Sequence, residues 1–197
     1  QAIRGSALRC ELKTERLLLR PLGPADFDAV RVYAADPVLT RYMIFFPHES
    51  EEETAAFLEN AAAEWKQESP SVLEFAVMLG DVLIGAVSLY LKDDELEKGD
   101  GELGWILRKP YWGGGYACEA ARAVIDFAGQ TFGLVRIVAH CDARNESSRR
   151  LMERLGMRPV DGAGTRTYPK TGETARELMY VLPLSCPDVP GDRESGS

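Results

Sequence analysis

The stretch from Glu102 to Ala120 reads ELGWILRKPYWGGGYACEA and decides the architecture of the chain. Its first part, Glu102–Arg108, is mainly apolar and ends before Lys109 and Pro110, as is typical of a buried strand. Three consecutive glycines follow at positions 113–115, and behind them small and aliphatic residues recur at helical spacing: Ala117, Ala120, Ala121, Val124, Ile125 and Ala128. The stretch therefore predicts a strand, a glycine-rich turn and a helix.

A glycine-rich turn that begins a helix is suited to binding phosphate. The first backbone N–H groups of a helix lack partners and carry positive partial charge, and glycine allows a ligand to approach the backbone closely. The turn is not a Walker loop, because no Lys-Ser/Thr follows the last glycine. It is not a dinucleotide fingerprint either, because Cys118 occupies the third glycine position. A purely structural turn stays open as the alternative.

Apolar runs, caps and breakers predict the other elements on both sides of this unit. Before it, we expect a strand at Glu15–Arg20, a helix from Pro24 to about Ala35, and a helix with a Ser50/Glu53 capping box to about Gln67. We also expect a hairpin of strands Val72–Leu79 and Val82–Leu91, joined by a tight turn at Gly80 and Asp81. After it, we expect a helix end near Gly129 and Gly133, a strand at Leu134–Cys141, a helix with Asn145 as its N-cap that ends at Gly156, and a strand at Arg176–Leu184. This order is that of a mixed α/β domain.

We expect a single domain at residues 11–185, with loose termini at 1–10 and 186–197. No linker or internal repeat interrupts the chain, and its last residues are rich in Pro, Gly, Ser and Asp. The first residues lack the apolar run of a signal peptide. The longest nearly unbroken apolar run, Val82–Leu91, is far shorter than the ~20 residues of a membrane helix, so no membrane partner is expected.

The charge balance excludes some classes of partner. The 197 residues include 23 Lys and Arg against 31 Asp and Glu, which gives a formal net charge of −8. A dedicated nucleic-acid binder neutralises phosphates with basic side chains, so we expect no nucleic-acid partner. An acidic surface instead favours the approach of cations.

The cysteines and histidines predict neither a disulfide framework nor a metal centre. The four cysteines form no C-x-x-C pair, which indicates reduced thiols in a cytoplasmic protein. The two histidines, His48 and His140, are too few for a His-rich metal site. We interpret His140, which alternates within a predicted strand, as structural.

A second segment, from Arg144 to Met157, supports a functional rather than a purely structural role for the glycine-rich turn. Together they resemble the GNAT superfamily of acyl-CoA-dependent N-acetyltransferases, and within it the RimJ/RimL-type branch of ribosomal-protein N-terminal acetyltransferases. The matching stretches are 104–107, 111–120, 145–148 and 155–157, with 15–21 and 36–38 nearer the N-terminus. The resemblance covers about Leu12 to Leu184 and implies an α+β fold. Its central, mostly antiparallel twisted sheet would have six to seven strands, splayed between the fourth and fifth strands and flanked by four helices.

The resemblance also implies acetyl-CoA as the co-substrate and places it on this chain, without a metal. The pyrophosphate would lie on the backbone N–H groups of Gly113, Gly114, Gly115, Tyr116 and Ala117, and Trp112 would belong to the same binding site. The pantetheine arm would pair like a strand with Ile106, Leu107 and Arg108, and Asn145 would bind it from the other side. One departure is Pro110, where the superfamily often has Arg or Gln.

Two candidate catalytic residues follow from the same resemblance. Glu102 is the candidate base, acting through water, and a backbone N–H near Ile106 or Leu107 would stabilise the oxyanion. Many relatives use a Tyr as general acid where this chain has Met152, and Ser148 would instead assist the leaving thiolate. The alternatives stay open: Glu102 as an exposed carboxylate at a strand start, and Ser148 as a first-turn helix serine.

The best-supported hypothesis is therefore transfer of acetyl from acetyl-CoA to a primary amine, with a peptide N-terminus as the leading acceptor. A small amine such as a polyamine or antibiotic is the first alternative. An acyl-CoA sensor without turnover is the second, and a homodimer is left open. We also expect carboxylates to line the acceptor side of the cleft and attract the cationic amine, with Asp93, Asp94, Glu95 and Glu102 as candidates.

Overall fold

A computed structural model describes residues 10–92, 96–162 and 164–184 of the chain. The predicted loose termini, apart from Cys10, lie outside these ranges, as do Asp93, Asp94 and Glu95. Cys10 itself is buried. Within the described ranges, no helix combines the length and apolarity needed to cross a bilayer.

The described residues form nine strands and four α-helices, in the predicted mixed order. The strands are β1 (Leu12–Lys13), β2 (Leu18–Pro21), β3 (Val72–Leu79), β4 (Val82–Tyr90), β5 (Asp100–Leu107), β6 (Arg136–Asp142), β7 (Arg158–Pro159), β8 (Thr165–Thr167) and β9 (Thr174–Pro183). The helices are α1 (Phe27–Ala34), α2 (Glu51–Glu64), α3 (Tyr116–Phe132) and α4 (Glu146–Arg154). Sequence periodicity missed β1, β7 and β8, because two or three residues are too few to establish a period of two.

All strands lie in one sheet of order β1-β2-β3-β4-β5-β6-β9-β7, with β8 paired to β9. Neighbouring strands are antiparallel except β5 and β6, which are parallel and pair only through Asp100–Glu102 and Arg136–Val138. Beyond these residues β5 continues to Leu107, and β6 pairs with β9 on its other side. The two strands, which are the fourth and fifth of the strands predicted from the sequence, therefore diverge, and the predicted splay of the sheet is confirmed.

The helices cover both faces of the sheet. On one face, α1 and α2 enclose a core cluster that includes Val30, Tyr33 and Leu58. On the other face, the apolar stripe of α3 packs with Leu151 and Met152 of α4 against the sheet. The helical spacing read from the sequence thus predicts the buried side of α3 correctly.

The helix ends follow mostly from local signals. The Ser50 hydroxyl accepts the N–H of Glu53, as predicted, but the Glu53 carboxylate accepts the N–H of Glu49 rather than completing the box at Ser50. Gly133 ends α3 with a φ of 62°, a left-handed conformation that favours glycine. The predicted helix at Pro24 begins as a 3₁₀ turn and becomes α-helical at Phe27.

Candidate active site

Two cavities, each of about 420 Å³, meet where β5 and β6 diverge. The first, which we call the glycine cavity, is lined by the turn before α3 and by the start of α4. The second, the carboxylate cavity, is lined by Glu102, His140 and Glu177. The residues that line both cavities are Tyr42, Met43, Trp105, Asn145 and Ser148. Ligands in the two cavities would therefore meet next to the first turn of α4.

The glycine cavity offers unpaired backbone N–H groups. Gly113 and Gly115 have φ values of 79° and 78°, a left-handed conformation that suits glycine. In the described parts of the chain, nothing accepts the N–H groups of Gly113–Ala117. A cluster of free donors at the start of a 17-residue helix fits a phosphate group, so the residues present suit the pyrophosphate of a coenzyme A.

Most of the residues predicted to bind the co-substrate line this cavity: Ile106, Leu107, Trp112, Gly113, Gly115, Tyr116, Ala117 and Asn145. Gly114 and Arg108 do not line it. A Cβ on Gly114 would come within 2.7 Å of the Tyr116 ring, so any larger residue there would require that ring to move. The Arg108 guanidinium instead donates to the carbonyl of Leu83, on the β4 side of the strand.

The register of β5 refines the predicted backbone contacts of the pantetheine. The N–H of Arg108 donates to the carbonyl of Ile84, which directs the backbone groups of Arg108 and Ile106 toward β4. The backbone groups of Leu107 and Trp105 then face the opening. Trp105 was missed by the sequence analysis, because the register was not known. The Leu107 carbonyl already accepts the indole N–H of Trp112 at 2.6 Å.

Asn145 and Ser148 are fixed by the start of α4. The Asn145 side-chain oxygen accepts the N–H of Ser148 at 3.2 Å, as the predicted N-cap requires, which leaves its amide NH₂ as a donor. Buried Asp142 holds the preceding turn: it binds the Arg144 guanidinium and accepts the Tyr168 hydroxyl at 2.7 Å. The Arg144 guanidinium lowers the pKa of Asp142 far below its usual range, so the carboxylate is ionised at neutral pH.

The carboxylate cavity contains a bonded pair that connects the two diverging strands. Oε1 of Glu102 lies 2.8 Å from Nδ1 of His140, and each side chain is about one quarter exposed. The hydrogen bond with Glu102 raises the pKa of His140 above its usual 6.5, despite the opposing effect of burial. His140, which its alternation within a strand predicts to be structural, also lines this cavity beside the candidate base.

A buried arginine is a further feature of this cavity that the sequence analysis missed. Arg166 of β8 binds Glu177 of β9 at 2.7 Å and donates to the Tyr42 carbonyl at 2.9 Å. These contacts fix the loop around Tyr42 over the cavity. No local signal marks Arg166, because its burial depends on the pairing of β8 with β9.

Of the acidic residues expected on the acceptor side of the cleft, Glu102 lines the carboxylate cavity, together with Glu177. Asp93, Asp94 and Glu95 lie outside the described residues. Met152 is fully buried in the core, so it presents no group to either cavity. The hydroxyl-bearing residues that line both cavities are Tyr42 and Ser148.

Among the described residues, no group of three or more His, Cys, Asp or Glu side chains is arranged to hold a metal ion. Cys10, Cys118 and Cys141 are free thiols, and Cys118 lines the glycine cavity. Cys186 lies outside the described ranges. The cytoplasmic location inferred from the cysteine pattern stays a prediction.

Comparisons with known proteins agree with this arrangement. A family model described as an acetyltransferase (GNAT) domain matches residues 16–158. The uncharacterized N-acetyltransferase YnaD of Bacillus subtilis is 30% identical over 174 residues, which cover 87% of this chain and 95% of that protein. A putative ribosomal N-acetyltransferase of the same organism, YdaF, is 25% identical over 146 residues, covering 72% and 78%. A solved GNAT-family acetyltransferase from Bacillus anthracis is 30% identical, with a TM-score of 0.73 and coverage of 88% and 98%.

The chain belongs to the GNAT acetyltransferase family. It is an acyl-CoA-dependent N-acetyltransferase with acetyl-CoA as its co-substrate, as the resemblance in its motifs predicted.

Proposed function

We propose that this enzyme acetylates the α-amine of a protein or peptide N-terminus. The observation that carries the proposal is the meeting of the two cavities at Asn145 and Ser148, with Glu102 on the side away from the glycine turn. A thioester in the glycine cavity and an amine in the carboxylate cavity would be brought together at this junction. The likeness to a putative ribosomal N-acetyltransferase supports a protein acceptor.

The chemistry of the carboxylate cavity supports an α-amine. An α-amine has a pKa of about 8 and a lysine amine about 10.4, so the α-amine needs less help to lose its proton near neutral pH. Glu102 attracts the ammonium form, since Glu177 is already paired with Arg166, while Phe45 and Phe46 provide apolar surface beside it. The side chain of Phe45 is 68% exposed, which fits contact with the first residues of a peptide.

In the proposed complex, the glycine turn binds the pyrophosphate and α4 orients the acyl end. The N–H groups of Gly113–Ala117 donate to the phosphate oxygens, and the free amide NH₂ of Asn145 donates to the pantetheine arm. The backbone of Leu107, which faces the opening, completes the contact. Bound acetyl-CoA supplies the acetyl thioester that is transferred.

Glu102 and Ser148 assist the reaction from opposite sides of the junction between the two cavities. His140 binds Oε1 of Glu102, so Oε2 is left to accept the amine proton through a water molecule. The Ser148 hydroxyl has no partner in the described residues, and it stabilises the leaving thiolate by donating a hydrogen bond while keeping its proton. A thiol pKa of about 8.5 means that the thiolate leaves with modest help, which suits a serine in place of a stronger acid.

A panel of acceptors tests the proposal by release of free thiol from acetyl-CoA. The panel pairs peptides that have a free N-terminus with the same peptides blocked at Nα but containing lysine, and adds spermidine and aminoglycosides. We expect turnover with free N-termini and at least ~10-fold less with the blocked peptides. Turnover with the small amines alone would contradict the peptide acceptor and favour the small-amine alternative.

A binding measurement tests the proposed co-substrate site independently of the proposed acceptor. Acetyl-CoA binds only the folded chain, so ligand at about 100 times its Kd should stabilise the protein by about 2.7 kcal/mol. Thermal stabilisation together with a silent panel would contradict the acceptor proposal only. An unchanged melting temperature would contradict the site proposed for the co-substrate.

A further inference from the structure

The helix that presents the free N–H groups also has a carboxylate in its first turn. Glu119 is the fourth residue of α3, and its N–H donates to the carbonyl of Gly115. An acidic residue in the first turn stabilises a helix, but it competes for the same positive partial charge that would attract a phosphate. An unneutralised Glu119 would therefore weaken the binding of a polyanion at Gly113–Ala117.

Arg16 lies against this carboxylate and neutralises it. The Arg16 side chain binds Oε2 of Glu119 through Nε at 2.7 Å and Nη2 at 2.6 Å, and the Arg16 N–H donates to Oε1 at 2.9 Å. The Thr14 hydroxyl also donates to Oε1. Partial burial opposes ionisation of Glu119, but these hydrogen bonds outweigh it and lower the pKa of the carboxyl.

Arg16 also holds the glycine turn itself. Its Nη1 donates to the carbonyl of Gly114 at 2.9 Å, and its guanidinium stacks 4.4 Å from the centre of the Tyr116 ring. The C=O and N–H of a trans peptide point in opposite directions. Fixing the Gly114 carbonyl toward Arg16 therefore directs the N–H of Gly115 away from Arg16, and Gly115 is one of the residues that line the glycine cavity.

We propose that Arg16 is a positioning residue for the co-substrate: it cancels the charge of Glu119 and orients the Gly114–Gly115 peptide so that the turn can receive the pyrophosphate. This inference rests on the pyrophosphate site proposed above. It gives a role to the segment at residues 15–21, which matches the family although it lies about 100 residues from the glycine turn.

A purely structural ion pair between Arg16 and Glu119 is the alternative, and the sign of two mutations separates it from the proposal. If the pair only stabilised the fold, removing either partner would weaken coenzyme binding in the same direction. If Arg16 cancels an unfavourable charge, loss of the arginine weakens binding, whereas loss of the carboxylate charge does not.

The experiment measures the Kd of coenzyme A by calorimetry and the KM and kcat for acetyl-CoA. We expect Arg16→Ala to raise the Kd and KM by about 10-fold and to change kcat by less than about twofold. Glu119→Gln removes the charge and keeps one of the two acceptor oxygens, and it should bind coenzyme A as tightly as the wild type or tighter. The double variant should bind more tightly than Arg16→Ala alone.

Two controls make each outcome decisive. Arg149→Ala removes an arginine of equal exposure from an ion pair on α4 and should leave the Kd unchanged. Ala117→Asp introduces a charge into the proposed phosphate site and should weaken binding strongly. An unchanged Kd for Ala117→Asp would overturn the site, whereas weak binding by Ala117→Asp with normal binding by Arg16→Ala would overturn only the role of Arg16.

Arg16→Lys and Glu119→Gln keep the proposal testable if Arg16→Ala does not fold. Lysine retains the charge but not the planar fork that reaches both Glu119 and Gly114, so Arg16→Lys should recover only part of the affinity. Weaker binding by Glu119→Gln, to the same extent as by the arginine variants, would assign the pair a structural role and overturn the proposal.

Discussion

Nδ1 of His140 lies 2.8 Å from Oε1 of Glu102 across the point where β5 and β6 diverge. Glu102 is the last residue of β5 that pairs with β6, where it is opposite Val138. His140 comes two residues after Val138 and therefore lies on the same face of the sheet as Glu102. The hydrogen bond closes one end of the opening and fixes the orientation of the candidate base.

Replacing Glu102 by Gln should remove the base without removing the hydrogen-bond acceptor. We expect kcat/KM for the acceptor to fall by about 10²-fold, since general base catalysis contributes about 10²–10⁴. The Kd of coenzyme A should change by less than about twofold, because Glu102 lines only the carboxylate cavity. The measurement is the pH profile of kcat/KM for both proteins.

Glu97→Gln is the matched control for this variant. Glu97 precedes β5, and its side chain is 80% exposed, where it binds Arg136. It should retain the wild-type pH profile. A Glu102→Gln enzyme with the same rate and profile would contradict the assignment of Glu102 as the base.

Replacing His140 by Gln should reduce stability more at low pH than at high pH. The folded pKa of His140 is raised above 6.5, so its stabilising contribution is fully present below about pH 6.5 and is lost as pH rises through the folded pKa. We expect the difference in unfolding free energy between the wild type and the variant to be about 1 kcal/mol larger at pH 5.5 than at pH 8.5. Urea unfolding at the two pH values measures it.

His48 should show the opposite dependence of stability on pH. Burial lowers the pKa of His48, so its contribution is present above its unfolded pKa and is lost as pH falls. The wild type should therefore exceed His48→Gln in stability by more at pH 8.5 than at pH 5.5. A difference for His140→Gln that grows with pH, as expected for His48→Gln, would contradict the assignment of the His140 pKa to its bond with Glu102.

The sequence predicted the elements that depend on local signals. The glycines before α3, the cap at Asn145 and the turn at Gly80 are each specified by a few adjacent residues, and the structure confirms them. The family resemblance extended this to the splayed sheet. The residues predicted to bind the co-substrate could be named from the sequence, because a glycine turn at a helix start binds phosphate through the backbone.

Contacts between segments that are distant in the chain could not be predicted from local sequence signals. Arg16 and Glu119 are 103 residues apart, and His140 and Glu102 are 38 apart. Arg166 becomes buried only through pairing of β8 with β9 and contact with the loop at Tyr42. These relationships depend on strand register and on how the helices lie on the sheet, which a single sequence does not specify.

Replacing Ser148 by Ala should slow the departure of the thiolate without weakening coenzyme binding. We expect kcat to fall by about 10-fold, because a thiol with a pKa near 8.5 needs only modest assistance. The Kd of coenzyme A should stay within about twofold. Single-turnover kinetics with acetyl-CoA and an accepted amine measure the chemical step.

Tyr42→Phe is the matched comparison, since Tyr42 lines both cavities as Ser148 does. It should retain most of the wild-type rate of the chemical step. A 10-fold loss in Tyr42→Phe with a normal rate in Ser148→Ala would instead show that the Tyr42 hydroxyl assists the leaving thiolate.

Replacing Glu74 by Gln should change how stability depends on pH. Glu74 is 5% exposed and accepts the Ser88 hydroxyl at 2.6 Å, and burial raises its pKa from 4.5 to about 7. Between these values the unfolded chain releases the proton while the folded chain keeps it, so wild-type stability falls as pH rises. We expect the Tm of Glu74→Gln relative to the wild type to rise by about 2–4 °C between pH 5 and pH 8. As a control, Glu59→Gln, on the exposed side of α2, should show the same dependence of Tm on pH as the wild type. Parallel Tm curves for Glu74→Gln and the wild type would show that Glu74 is ionised in the folded protein at pH 5.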